Sequence, residues 1–211
     1  MESASIAAHG AGHADDHEHH GPPEAHQSAR IDRTVLGILL FILSEIMLFG
    51  AFFAAYFFLR VVADPEAWPP PGIELPVLIA GINTAVLVSS SFTVHYALEA
   101  IKHNNHRGLK LGLTMTWLLG ATFLFIQINE YAHIGFTPRD GAFGSIFFSL
   151  TGLHGAHVFV GMLLLTFANI RAYRGHFGPD QKDHLGVEVP SIYWHFVDIM
   201  WIIVFLAIYV I

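Results

Sequence analysis

The chain has 211 residues, of which 54% are hydrophobic and only 13% are charged. Soluble domains carry about 25% charged residues, so this composition indicates an integral membrane protein. The absence of cysteine excludes disulfide bonds, thiolate nucleophiles and iron–sulfur ligands. The formal net charge is −7 and no basic stripe is present, which argues against nucleic acid as a partner.

The first 30 residues are polar and mix six histidines with acidic residues. They lack apolar periodicity and contain Pro22–Pro23, so we expect residues 1–30 to form a disordered cytoplasmic tail. Because imidazole and carboxylate groups buffer across roughly pH 4–7, a proton-collecting patch is a second interpretation, and loose metal chelation is a third. The six tail histidines are His9, His13, His17, His19, His20 and His26.

Five long apolar spans follow the tail. Each has at least 25 residues, which as a helix is enough to cross about 30 Å of hydrocarbon. The sequence therefore predicts an all-α integral membrane protein with a single five-helix domain over residues 34–211. The predicted helices cover residues 34–60, 75–101, 108–134, 141–173 and 187–211.

The basic residues predict the orientation of these spans. Only Arg60 and Arg139 flank one side, and the other eight flank the opposite side. Since basic residues are enriched on the cytoplasmic side, the N-terminus is expected inside and the C-terminus outside. The eight residues are Arg30, Arg33, Lys102, Arg107, Lys110, Arg171, Arg174 and Lys182.

One acidic residue, Glu45, lies in the middle of the first span. A bare charge at that depth costs a few kcal/mol or more. We therefore expect the carboxyl to be protonated, paired, or facing protein or water. An ionisable residue in this position is by default a candidate catalytic acid or proton relay.

Histidines and a second acid punctuate the last two spans. His154 and His157 are three residues apart, as are His195 and Asp198. These residue types suit zinc, copper or non-haem iron, but no HExxH pattern is present. Buried polar side chains in membranes also hydrogen-bond between helices, so we interpret all four as interhelical polar contacts and predict no metal site.

A polar stripe follows one face of the second span at three- and four-residue steps. We interpret it as a helix-packing surface, with a polar conduit as the alternative. Its members are Thr84, Val88, Ser91, His95 and Glu99.

Four motifs, taken in order, closely resemble subunit III of haem-copper terminal oxidases. The resemblance covers about residues 34–211 without large gaps. The motifs are FILSEIMLFGAFFAAYF at 41–57, GINTAVLVSSS at 81–91, QINEYAHIGFTPRDGAFGSIFFSLTGLHGAHVFVG at 127–161 and YWHFVDIMWIIVFLAIY at 193–209.

The resemblance implies a multi-pass subunit of a bacterial inner membrane, with haem and copper held by its partner subunits. Its main partner would be catalytic subunit I, with subunit II in the same complex. Family members have seven or five helices, and this chain looks like the five-helix form. They form a V-shaped bundle whose cleft holds phospholipids, support proton uptake and protect the oxidase from turnover inactivation.

Three residues of the chain match positions with known roles in that family. Glu45 matches its buried, carbodiimide-reactive glutamate. Arg171 and His176, in RAYRGHFG, match positions that contact lipid phosphate. The resemblance gives no catalytic residue to this chain itself, although the complex is an enzyme.

Alternative functions follow from the same residues. Quinol oxidases also use five-helix subunits, often with a histidine-rich tail, but commonly carry aspartate where this chain has Glu45. That glutamate and the motif DHLGVEVPSIYWHFVD favour the cytochrome c oxidase branch. A stand-alone proton-coupled transporter using Glu45 and Asp198 belongs to a different class, and the lack of an internal repeat argues against it. A metalloenzyme built on the histidines is a third hypothesis.

Overall fold

The computed structural model describes residues 33–62, 68–177 and 184–211. These residues form five helices, and none of them lies in a β-strand. The predicted tail and its six histidines lie outside the described residues. The helices are α1 Arg33–Val62, α2 Val77–Lys102, α3 His106–His133, α4 Gly141–Tyr173 and α5 Leu185–Phe205, and α5 continues into a π-helical turn, Leu206–Val210.

All five helices are long and apolar enough to cross a membrane. For the described residues, the prediction of an all-α protein with five spans is confirmed, and the chain is a multi-pass membrane protein. Helix ends lie within two residues of the predicted ones when α5 is counted to the end of its π-helical turn, because the apolar runs end at polar or glycine-containing turns. Between α2 and α3, for example, Asn104 has a left-handed backbone (φ 55°), and the side chain of Asn105 accepts a hydrogen bond from the Gly108 amide at 2.9 Å.

Helix α5 is the centre of the packing. Helices α2 and α4 each contact both α3 and α5, and α1 packs against α4 and α5. In an 18-residue apolar stretch of α5 and its π-helical turn, 61% of the residues are buried, compared with 11% in the corresponding stretch of α1. Helix α1 is therefore peripheral, and only Phe49 and Tyr56 on it are buried.

The side chain of Trp194 joins α5 to three neighbouring helices. It is fully buried, and its Nε1 donates to Ser90 Oγ on α2 at 2.8 Å. A methyl group at Gly120 of α3 would lie 2.6 Å from its Cη2, and one at Gly161 of α4 would lie 2.8 Å from its Cε3. Small residues of this kind allow close helix packing in membranes, and here they leave the space that the indole occupies.

Candidate functional site

The carboxyl of Glu45 pairs with the ring of His157 between α1 and α4. Glu45 Oε2 lies 2.9 Å from His157 Nε2. Each residue is near the middle of its helix. The side chain of Glu45 is only 16% exposed and that of His157 only 11%. The acid of the first span therefore has a partner inside the protein, as a carboxyl surrounded by hydrocarbon requires.

The other ring nitrogen of His157 limits how this pair can be protonated. Nδ1 lies 2.7 Å from the carbonyl oxygen of Leu153, and a carbonyl only accepts, so Nδ1 carries a hydrogen. Nε2 then either carries a second proton toward an ionised Glu45 or accepts one from a neutral Glu45. In both arrangements the pair has no net charge and holds one proton between its two partners.

Aromatic side chains surround the pair. The ring centroid of Phe49 lies 4.9 Å from that of His157. The hydroxyl of Tyr193 on α5 donates to the backbone carbonyl of His157 at 3.3 Å. On α5, the ring centroid of Phe196 lies 6.5 Å from that of Phe49. Helix α1 therefore contacts both α4 and α5 near its middle.

A second set of contacts fixes the C-terminal end of α1. The Tyr56 hydroxyl donates to the carbonyl of Ala207 at 2.8 Å, in the π-helical turn. Arg60 donates to the backbone carbonyl of Ile211. Together with the Glu45–His157 pair, these bonds connect α1, which is otherwise largely exposed, to the rest of the protein.

His195 and Asp198 meet at a serine of another helix. Ser91 Oγ on α2 donates to Asp198 Oδ2, and Ser91 Oγ also lies 3.1 Å from His195 Nδ1. Asp198 is 4% exposed, and its second oxygen has no hydrogen-bond partner among the described residues. The three-residue spacing therefore directs both side chains to α2.

The polar stripe of α2 faces α5 at two positions. Ser91 is one of them, and at the other Thr84 Oγ1 accepts a hydrogen bond from Trp201 Nε1 at 2.9 Å. These bonds favour the interpretation of the stripe as a packing surface.

His154 has a different environment from His157. It is fully buried, and neither of its ring nitrogens has a hydrogen-bond partner among the described residues. Its ring lies 4.7 Å from that of Trp201 and 5.6 Å from that of Phe123, measured between centroids. Phe123 has no polar side-chain atom, and Trp201 Nε1 donates to Thr84 instead. Ring packing therefore takes the place of the polar contact that the sequence predicts for His154.

One buried polar contact was not predicted from the sequence. Glu130 on α3 is 6% exposed, and its carboxyl accepts a hydrogen bond from the Tyr209 hydroxyl at 2.6 Å. In the sequence, this contact is indicated only by an acid and a tyrosine near the ends of two different spans. Their pairing depends on the contact between helices, which composition does not reveal.

The two predicted lipid-contacting residues are neighbours at the end of α4. The Arg171 guanidinium lies over the rings of Phe167 and Phe177, at 5.9 and 5.2 Å from their centroids. His176 is exposed, and its backbone amide donates to the Arg171 carbonyl at 3.0 Å. Both residues are accessible from outside the protein, Arg171 only partly.

The four residues weighed as metal ligands lie in three separate environments. His157 pairs with Glu45, His154 packs against aromatic rings, and His195 and Asp198 contact Ser91. In the described part of the chain, no three His, Cys, Asp or Glu side chains lie close enough together to hold a metal ion. The described residues therefore do not form the donor set that a redox metal would need.

Comparison with known proteins identifies extensive similarity. Residues 18–211 match the family described as cytochrome c oxidase subunit III. Over 207 residues the chain is 41% identical to cytochrome c oxidase subunit 3 of Thermostichus vulcanus, covering 98% of this chain and 96% of the relative. The corresponding protein of Synechocystis is 38% identical over 195 residues, covering 92% and 78%. That of Petromyzon marinus is 40% identical over 178 residues, covering 82% and 67%.

Replacing Ser91 with alanine is expected to destabilise the chain. Asp198 would lose its hydrogen-bond donor while staying buried, which costs about 1–3 kcal/mol. The thermal midpoint of the purified protein in detergent, followed by helical circular dichroism, should fall by several degrees. Adding Asp198→Leu should restore part of the loss, because the double variant leaves no buried carboxyl without a donor.

Ser89→Ala is the matched control for this experiment. Ser89 is exposed on the same helix, and its hydroxyl bonds only to the Ala85 carbonyl one turn earlier. Equal midpoints for the Ser91→Ala and Ser89→Ala proteins would show that the contact with Asp198 has no structural importance.

Proposed function

Because the chain belongs to the cytochrome c oxidase subunit III family, we propose that it is an accessory, non-redox subunit of a respiratory cytochrome c oxidase. It packs on catalytic subunit I, with subunit II in the same complex, and those partners hold the haem and copper. The match over residues 18–211 is the observation that carries this proposal. The names of the relatives favour the cytochrome c branch over the quinol branch.

The contacts that the buried polar side chains make support a non-catalytic role for this chain. Glu45, His157, Ser91 and Asp198 are engaged in contacts between helices. A proton-coupled transporter would need such groups to be free to exchange partners. We therefore assign Glu45, which corresponds to the carbodiimide-reactive glutamate of the family, to a neutral pair that connects α1 to α4.

Phospholipid is the second partner in this proposal. Helix α1 exposes large apolar side chains, among them Leu40, Met47 and Phe58, at 59%, 71% and 66% exposure. We propose that lipid chains cover this surface along the family's V-shaped cleft. Arg171 and His176 would contact lipid phosphate at the cytoplasmic interface, where basic side chains meet anionic headgroups.

The proposed location is a bacterial inner membrane, with the N-terminus in the cytoplasm and the C-terminus outside. The distribution of basic residues supports this orientation. The subunit would support proton uptake by the oxidase and protect it against inactivation during turnover. The histidine-rich tail, on the side from which protons are taken up, is a candidate for collecting them.

Deleting the gene for this chain tests the proposed role. The oxidase isolated without it should begin to reduce oxygen at nearly the normal rate but lose activity after fewer turnovers. Oxygen consumption followed to exhaustion, with haem content measured in parallel, separates these effects. Failure of haem insertion, or loss of the first turnovers, would contradict an accessory role.

Glu45→Gln tests whether the carboxyl is a proton relay. Glutamine keeps a hydrogen-bonding group opposite His157 but cannot release a proton, so a structural pair predicts an oxygen-reduction rate within about twofold of the unmodified complex. Glu45→Leu is the companion variant, and it should weaken retention of the chain by the complex. A tenfold or larger loss of rate in Glu45→Gln corresponds to a barrier raised by about 1.4 kcal/mol. Such a loss, in a complex that retains the chain normally, would restore the relay hypothesis.

A further inference from the structure

A groove of about 410 Å³ lies between α3 and α4, apart from the contacts described above. We propose that it binds an anionic phospholipid, with the phosphate at Arg174 and Lys110 and one acyl chain in the groove. The α3 wall is formed by Thr114 and Trp117. The α4 wall is formed by Thr166, Asn169, Ile170, Tyr173 and Arg174.

The groove has the depth that a lipid chain requires. Arg174 follows the last residue of α4, and Thr166 lies eight residues earlier on the same helix. At a rise of 1.5 Å per residue, this separation is about 12 Å. The groove thus extends from the end of the helix, where a headgroup would lie, into the depth occupied by the upper acyl chain.

The polar groups of the groove wall bond to one another. Trp117 Nε1 donates to Thr166 Oγ1 at 2.9 Å, and the Thr166 hydroxyl donates to its own helix. Thr114 Oγ1 donates to Asn169 Oδ1 at 3.2 Å, and Asn169 Nδ2 donates to the Leu165 carbonyl at 3.1 Å. Because these groups have partners in the protein, hydrocarbon can fill the groove without leaving them unsatisfied.

The mouth of the groove is basic. Arg174 is exposed, and Lys110 Nζ lies 5.3 Å from the ring centroid of Tyr173, which also lines the groove. Lys110 and His106 line a second cavity of about 310 Å³, together with Ala172 and Gly175, which flank Tyr173 and Arg174 in the sequence. Among the described residues, neither cavity is lined by an aspartate or a glutamate. These basic side chains complement a phosphodiester, which favours an anionic phospholipid over a zwitterionic one.

The groove differs from the proposed lipid contact at Arg171 in the residues that form it. The Arg171 guanidinium is directed toward Phe167 and Phe177, and a Cβ at Gly186 of α5 would meet its Nη1 at 2.9 Å. Arg171 does not line the groove between α3 and α4. The inference therefore goes beyond the proposed function and does not depend on assembly with an oxidase.

Photolabelling in native membranes tests the site. Membranes containing the full chain would be supplied with phosphatidylglycerol or phosphatidylcholine, each carrying a diazirine in the middle of one acyl chain. After irradiation the chain would be purified and its labelled peptides mapped. Phosphatidylglycerol should label the segments around Trp117 and Ile170 about fivefold more than phosphatidylcholine does, the preference expected from about 1 kcal/mol of headgroup attraction.

Two double variants distinguish a site from general surface charge. Lys110→Gln with Arg174→Gln should reduce the labelling ratio to about one. Arg33→Gln with Lys102→Gln removes the same charge from the corresponding ends of α1 and α2, and should keep the ratio unchanged. Equal labelling by the two lipids, a preference that persists without Lys110 and Arg174, or a preference lost equally in the control would overturn the proposal.

Discussion

Hydrogen bonds between helices are the interaction on which the rest of this structure depends, because hydrocarbon offers the polar side chains of the spans no other partner. Helix α5 and the π-helical turn that continues it make several of these bonds. Trp194 and Trp201 donate to serine and threonine of α2, Asp198 accepts from Ser91, and Tyr209 donates to Glu130 of α3. The same helix contacts α1, α2 and α4, so its polar groups set how the bundle is assembled.

The same constraint explains the role that we assign to Glu45. An acid in the middle of a span could act as a relay, but here it completes a neutral pair with His157 on a helix that has few other buried contacts. The pair and the bonds of Tyr56 and Arg60 hold α1 against α4 and α5. Helix α1 can then present a large apolar surface to lipid while its position stays fixed. This combination suits an accessory subunit that shapes the surroundings of a catalytic partner.

The five spans could be predicted because length and apolarity determine whether a helix can cross a bilayer, and both are local properties. The partners of the buried polar residues could not be predicted from the sequence. The spacing of His195 and Asp198 indicates a shared face, but Ser91 comes from a different helix. His154 and His157 share one short motif, yet one packs against rings and the other pairs with an acid. Those outcomes depend on which helices are neighbours.

The identity of the chains around this subunit tests the account most directly. An affinity tag on this chain, placed at the C-terminus, would be used to isolate it from mildly solubilised membranes. We predict that the isolated material contains subunits I and II in equal amounts with this chain, together with the visible spectrum of their haem groups. Recovery of the chain without any haem-copper subunit, from membranes that contain an active oxidase, would contradict the proposal that it belongs to that complex.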